Sequence, residues 1–350
     1  MGLFSSLFGG GGKKPEEPQA EAAEESVEEL AAGLDSPDGG VRVDSARILL
    51  DRWRSGDVAA AEKLAPRLPE LLDDDEPMVR VTALSGVRML RKPENLEKNA
   101  SGVVALLADP VQQVRIAAIW SAVRLPGDAA REQVRKALES TEEAMRFAAA
   151  CALSDVKDPA SLPELTAALR DDHRRQEALS AIMSLGLAAA LPELRTLFED
   201  ETLGEFDKTL AAAALARFGD EPGAAYLVER IEQGGDDRPI AAEWAGRLDV
   251  RQAIDALNDL AEDDSDPAQG AAIRALGRLH ALGAEARLLK IAGDPQARDD
   301  LRMDAAEGLA ELGTPPVLEL LKKLAEAAGP EELAQLCREL LVEVAQPDAD

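Results

Sequence analysis

From about Val27 onward, apolar side chains return every three or four residues, and the returns come as pairs of stretches separated by turn residues. One pair shows the pattern. Val79, Ala83, Leu84, Val87 and Leu90 fall on one helical face, and Arg91-Lys92 followed by Pro93 ends that helix. Leu96, Val103, Val104, Leu106 and Leu107 then mark a second helix. Asp109-Pro110 opens the next unit, the acid placed as a helix cap and the proline suited to a first turn. Val114, Ala118, Ala122 and Leu125 repeat the first stripe. The period-two alternation of a strand appears nowhere.

The pairs recur at a nearly fixed spacing. Leu-Pro-Glu-Leu stands at Leu68 to Leu71, Leu162 to Leu165 and Leu191 to Leu194, the last two copies 29 residues apart (191 − 162). An apolar residue followed by arginine marks other units at Val41–Arg42, Val79–Arg80, Val114–Arg115, Met145–Arg146 and Leu301–Arg302. A period near thirty means stacked helical hairpins, each unable to bury its apolar face alone. The chain therefore reads as an all-α protein, an α-solenoid or superhelix of about nine hairpins. These start near residues 39, 76, 110, 142, 173, 204, 237, 267 and 299, after a lead-in helix and before a C-terminal capping helix from Pro330 to Val344. Ala148 to Ala150 and Ala211 to Ala214 supply small residues where helices approach closely. The solenoid is expected over residues 26–350. Residues 1–25 form a separate flexible segment: a short apolar stretch, a glycine run and a Pro/Glu linker.

The turn acids and marker arginines resemble HEAT-like repeats, in the short bacterial form seen in phycobilin lyase subunits. The resemblance rests on Asp74-Asp75-Glu76-Pro77-Met78-Val79-Arg80 with Ala83 and Leu84, and on Asp109-Pro110 through Val114-Arg115 with Ala118. It spans roughly residues 36 to 328. From Arg174 to Ala271 the arginine is often missing, and units there rest on spacing and apolar pattern. The resemblance implies a ladder between units made by turn acids and helix arginines, here Asp74, Arg80, Asp109 and Arg115. It also implies that second helices line a concave face.

Charge narrows the partner. With 67 acids against 39 bases the formal charge is −28, a surface that repels phosphate backbones. Aromatics make up only 3% of the chain, so base-stacking platforms are scarce. Nucleic acid is not the expected partner. The acids cluster where one pair hands over to the next, at Asp73 to Glu76, Glu142-Glu143, Asp171-Asp172, Glu199 to Glu201, Asp236-Asp237, Asp263-Asp264 with Asp266, and Asp299-Asp300. Helix capping accounts for that placement, and no cluster has the spacing of metal ligands. No cofactor motif is present, so none is expected. Basic residues fall on second helices instead: Lys63, Arg67, Arg131, Arg135, Lys136, Arg195, Arg287 and Lys290, with Lys322 and Lys323. These are the candidates for gripping a partner.

Cys151 and Cys337 sit inside helical stripes and read as buried small hydrophobes. His173 and His280 lack converging partners, and Trp53, Trp120 and Trp244 read as packing or partner anchors. At the N-terminus, Leu3, Phe4, Leu7 and Phe8 share one helical face beside Lys13-Lys14 and are candidate membrane contacts. Two lysines add about 2 kcal/mol at an anionic surface, so attachment through this segment is expected to be weak. The expected compartment is the cytoplasm; a disordered N-terminal tail is the favoured reading, and peripheral association at the inner face of the membrane is the alternative. The expected function is a non-enzymatic scaffold or adaptor for a protein or peptide partner. The resemblance adds two alternatives, a bilin lyase or isomerase and a HEAT-like DNA glycosylase, and the acidic charge opposes the latter.

Overall fold

The computed structural model describes residues 25–327 and 329–345. Among them there is no strand. The chain is an α-solenoid of stacked helical hairpins, and it divides after Leu187 into two compact units.

In the first unit, a lead-in helix α1 (Val27–Gly33) is followed by α2 (Gly39–Arg54), α3 (Val58–Leu64), α4 (Leu68–Leu71), α5 (Pro77–Val87) and α6 (Pro93–Ala105). The unit continues through α7 (Gln112–Ala122), α8 (Asp128–Ala137), α9 (Glu143–Asp155), α10 (Leu162–Ala168) and α11 (Arg175–Leu185). Helices α2, α5, α7, α9 and α11 pack side by side as one layer, and α3–α4, α6, α8 and α10 form the other. The second unit runs α12 (Leu191–Phe198), α13 (Glu205–Arg217), α14 (Glu221–Gln233), α15 (Arg238–Arg247) and α16 (Ile254–Ala261). It ends with α17 (Gln269–Arg278), α18 (Ala284–Gly293), α19 (Asp299–Ala310), α20 (Pro315–Glu326) and α21 (Glu331–Ala345). Its first-helix layer is α13, α15, α17, α19 and α21.

The two layers differ in burial for a packing reason. A first helix is flanked by two other first helices and covered by its own second helix, so little of it meets water. Every residue from Phe147 to Ser154 in α9 and from Thr209 to Leu215 in α13 is buried. Second helices bury one stripe only, such as Leu227 and Ile231 in α14. Close stacking demands small side chains, and in the second unit glycine supplies them. Gly246, Gly277 and Gly308 stand 31 residues apart (277 − 246 and 308 − 277) on α15, α17 and α19. A Cβ on Gly277 would sit 2.2 Å from the Gly308 carbonyl oxygen, and one on Gly246 would sit 2.7 Å from Ala275 Cα. Backbone therefore meets backbone along this stack.

Each Leu-Pro-Glu-Leu copy starts an α-helical segment directly after a 3-10 turn, at Ala65–Arg67, Pro159–Ser161 and Ala188–Ala190. Proline lies in the first turn, where its missing N–H costs no intrahelical bond. Two local expectations are corrected. Asp109 does not cap α7; Val111 holds that place, and Asp109 is drawn instead to Val111 N–H and to an arginine of the preceding hairpin. Helix α5 stops at Val87, short of Leu90, because Leu90 reaches the core from the turn, where its N–H closes on the Val87 carbonyl.

Candidate functional site

The inter-hairpin turns carry a repeated ion-pair device. Arg80 donates from Nε to Asp109 Oδ2 at 2.9 Å and from Nη2 to Oδ1 at 3.1 Å, while its Nη1 donates to the Asp74 carbonyl at 2.7 Å. Arg42 does the same one hairpin earlier, reaching Asp74 at 2.9 and 2.8 Å and the Ser36 carbonyl at 2.9 Å. Arg115 reaches the Asp109 carbonyl at 2.8 Å and Glu142 at 2.6 Å. In each case the carbonyl lies six residues back and the carboxylate in the next hairpin, so one guanidinium closes its own turn and locks the neighbour. Arg146 keeps the six-back carbonyl, Ser140 at 3.0 Å, but turns to Glu164 at 3.3 Å. Burial pushes the Asp74 carboxyl up, but hydrogen bonds from Arg42 and the Glu76 N–H outweigh it and hold the group below its ordinary range.

Where the marker arginine is missing, other residues do its work. In α13, Thr209 Oγ1 donates to Asp237, and Arg230 from the second helix α14 donates to the same carboxylate at 2.6 Å. Arg238 takes the Ile231 carbonyl at 2.6 Å and pairs with Asp266. A further network joins α15, α17 and α19. The buried Glu243 accepts from Arg247 at 2.8 Å and from Arg278 at 2.5 Å and faces Arg274, which in turn pairs with Asp304 and Glu307. The sequence reading missed this network. Its signal was the repeat itself, since Arg274 and Arg278 follow Glu243 and Arg247 by 31 (274 − 243 and 278 − 247).

The acidic clusters of the turns are largely engaged by the chain. Asp74 accepts from the Glu76 N–H, Asp171 from the His173 N–H and Asp263 from the Ser265 N–H, each at 2.8 to 3.0 Å. No group of carboxylates, thiols and imidazoles among the described residues has the geometry of a metal site.

The basic candidates of the second helices divide into two sets. Arg67 donates to Asp35 at 2.6 Å, Arg135 to Asp158 at 2.8 Å and Arg195 to Asp220 at 2.8 Å. Arg131 pairs with Asp128 at 3.3 Å and Arg287 with Glu262 at 2.7 Å. Asp158 and Asp220 are buried N-caps, so their arginine partners are drawn into holding the turns. Lys63 lies 3.8 Å from Glu28 and is exposed. Lys136 and Lys290 are exposed and make no ion pair among the described residues.

The family model for HEAT repeats matches residues 100–186 and 254–341, half of the chain. The chain belongs to the HEAT-repeat family. Solved structures with a similar fold include human deoxyhypusine hydroxylase in complex with glycerol (19% identity, 72% of this chain and 98% of that chain, TM-score 0.30). The complex of CpcE and CpcF of phycocyanin lyase from Nostoc sp. is also similar (17% identity, 95% and 100%, TM-score 0.38). Importin beta is similar over 91% of this chain and 51% of its own, at 13% identity and TM-score 0.39. No curated protein matches the sequence.

Within the HEAT hairpins, His173 is exposed beside Asp171, and His280 is exposed in a left-handed conformation (φ 46°) past the end of α17. Cys151 and Cys337 are free and buried. Burial, then the nearby Glu177 and Asp155 carboxylates, pushes the Cys151 thiol up, and burial pushes the Cys337 thiol up to about 11. Trp244 is buried, whereas Trp53 and Trp120 are half-buried. No described helix is long and apolar enough to cross a membrane. Leu3, Phe4, Leu7 and Phe8 lie outside the described residues.

Proposed function

We propose that this HEAT-repeat protein is a non-enzymatic scaffold that holds a protein or peptide partner along its second helices. The supporting observation is the difference between the two layers. First helices are consumed by stacking, while second helices keep one face in water and present Lys63, Lys136 and Lys290 on it. In a chain of net charge −28, exposed ammonium groups, two of which (Lys136 and Lys290) make no ion pair among the described residues, are where an acidic or mixed partner meets least repulsion.

The test is affinity isolation from the native cell with the full chain and with a Lys63→Glu, Lys136→Glu, Lys290→Glu variant. The reading expects a partner that co-purifies with the first and is lost from the second; retention by both overturns it. Co-expression with a bilin, followed by visible absorbance of the purified chain, separates the scaffold from a lyase. The scaffold reading expects no covalent pigment on the chain or its co-purifying partner.

A further inference from the structure

Among the described residues, most arginines of both units pair with carboxylates, in the ladder, on the second helices and around Glu243, while Arg52, Arg91, Arg170 and Arg217 are lone exceptions. The opposite edge of the first unit breaks that rule. Here the first helices end and the chain turns into the second helices. Arg88 follows the last residue of α5, Arg124 lies two residues beyond α7, and Arg54 ends α2, at spacings of 34 and 36 (88 − 54 and 124 − 88). Arg88 and Arg124 are exposed, and no carboxylate among the described residues lies within ion-pair distance of either. Arg54 pairs only with the exposed Asp51 of its own helix. The Arg88 guanidinium lies over the ring of Trp120, 5.5 Å from its centroid. Partial removal from water, then the positive charge of Arg124, pushes the Arg88 guanidinium down from its ordinary range; Asp155 opposes this and Arg54 adds to it. A favourable place at a helix C-terminus accounts for one such arginine at a time. It does not account for neighbouring ones that repel each other and whose shared carboxylate, Asp155, stays beyond ion-pair distance of both.

We propose that this edge of the first unit is a docking surface for an acidic peptide segment, with Arg88 and Arg124 taking carboxylates and the half-buried Trp120 packing an apolar side chain between them. Charge complementarity argues for the occupant: like-charged guanidiniums held beside one another are relieved by a carboxylate that bridges them. A short peptide fits better than a nucleic acid. Local fields survive only over a Debye length of about 8 Å, and an extended polyanion would leave the patch for a chain of net charge −28. The proposal uses none of the lysines of the proposed scaffold face, so either reading can fail without the other.

The experiment uses the full chain and a fluorescein-labelled glutamate-rich peptide with a leucine at its centre, read by fluorescence anisotropy at two salt concentrations. Glutamate binding is expected to exceed that of the same peptide with glutamine, and to weaken as salt rises. Arg88→Gln and Arg124→Gln each weaken it about tenfold, the equivalent of about 1.4 kcal/mol. Arg47→Gln, which removes an exposed charge paired with Asp44, leaves it unchanged. Equal binding of the two peptides, no binding of either, or an equal loss in the Arg47→Gln control overturns the proposal. So does tighter, Arg88-dependent binding of a single-stranded oligonucleotide, or self-association of the chain that Arg124→Gln abolishes.

Discussion

Removing Arg80 isolates what the turn ladder contributes. Its guanidinium supplies two N–H donors to Asp109, whose side chain is only 5% exposed, and one to the Asp74 carbonyl. In Arg80→Ala the Asp109 carboxylate stays buried with the Val111 N–H as its remaining donor. A buried charge stripped of its partner costs about 3–5 kcal/mol. The exposed pair Arg47–Asp44, with both side chains 65% accessible, is the control, and such pairs contribute about 0.2–1 kcal/mol. Urea unfolding read by Trp53 and Trp120 fluorescence, in a common Trp244→Phe background, reports on the first unit. Arg80→Ala should lower the midpoint far more than Arg47→Ala. The double variant Arg80→Met with Asp109→Asn should recover most of the loss, because the unpaired charge is gone. Equal effects of the two alanine variants, or a double variant no better than Arg80→Ala, would refute the reasoning.

The glycine stack predicts that Gly277→Ala destabilises the second unit by about 1–3 kcal/mol through overpacking, since the new methyl meets the Gly308 carbonyl at 2.2 Å. Gly127→Ala meets nothing within 4 Å and suffers only from its φ of 82°, about 1–2 kcal/mol; urea midpoints rank the two. Cys151 and Cys337 are both buried with raised thiols, so Ellman's reagent at about pH 8 should label neither in the native chain and both in urea. Burial pushes Glu243 up, but Arg278, Arg247 and Arg274 together hold it below its ordinary range. It therefore binds its proton more weakly folded than unfolded, and the stability it contributes is complete above about pH 4.3 and drains as pH falls below it. Glu243→Gln should flatten that acid-side slope in unfolding of the second unit, at the cost of leaving three arginines short of a counter-charge. An unchanged slope would remove Glu243 from the acid response.

The hairpins were legible because their signal is periodic. Helices that the apolar pattern placed near residues 39, 76 and 299 begin at Gly39, Pro77 and Asp299. The Leu-Pro-Glu-Leu copies were equally readable, since proline tolerates only the first turn of a helix. What stayed hidden depends on distance in space. The sequence shows Asp109 beside Pro110, which suggests a cap, and only the fold brings Arg80 across to it. Thr209 with Arg230 replaces a ladder arginine because hydroxyl and guanidinium converge on Asp237 from two helices, and no local motif records that convergence. Arg67, Arg135 and Arg195 looked like a free basic face because the carboxylates that tie them to other elements lie 23 to 32 residues away, although Arg67 and Arg135 also pair locally with Glu70 and Glu132. Arg88 and Arg124 carried no motif at all; their meaning lies in standing beside each other and Trp120 without the ion pair that most arginines have.

Amide hydrogen exchange of the intact chain tests the layered account most directly. Slowest exchange is expected in the first helices, above all α9 in one unit and α13, α15 and α17 in the other, with the second helices opening faster. Uniform protection across both layers, or second helices that outlast the first, would contradict a buried spine carrying an exposed binding row.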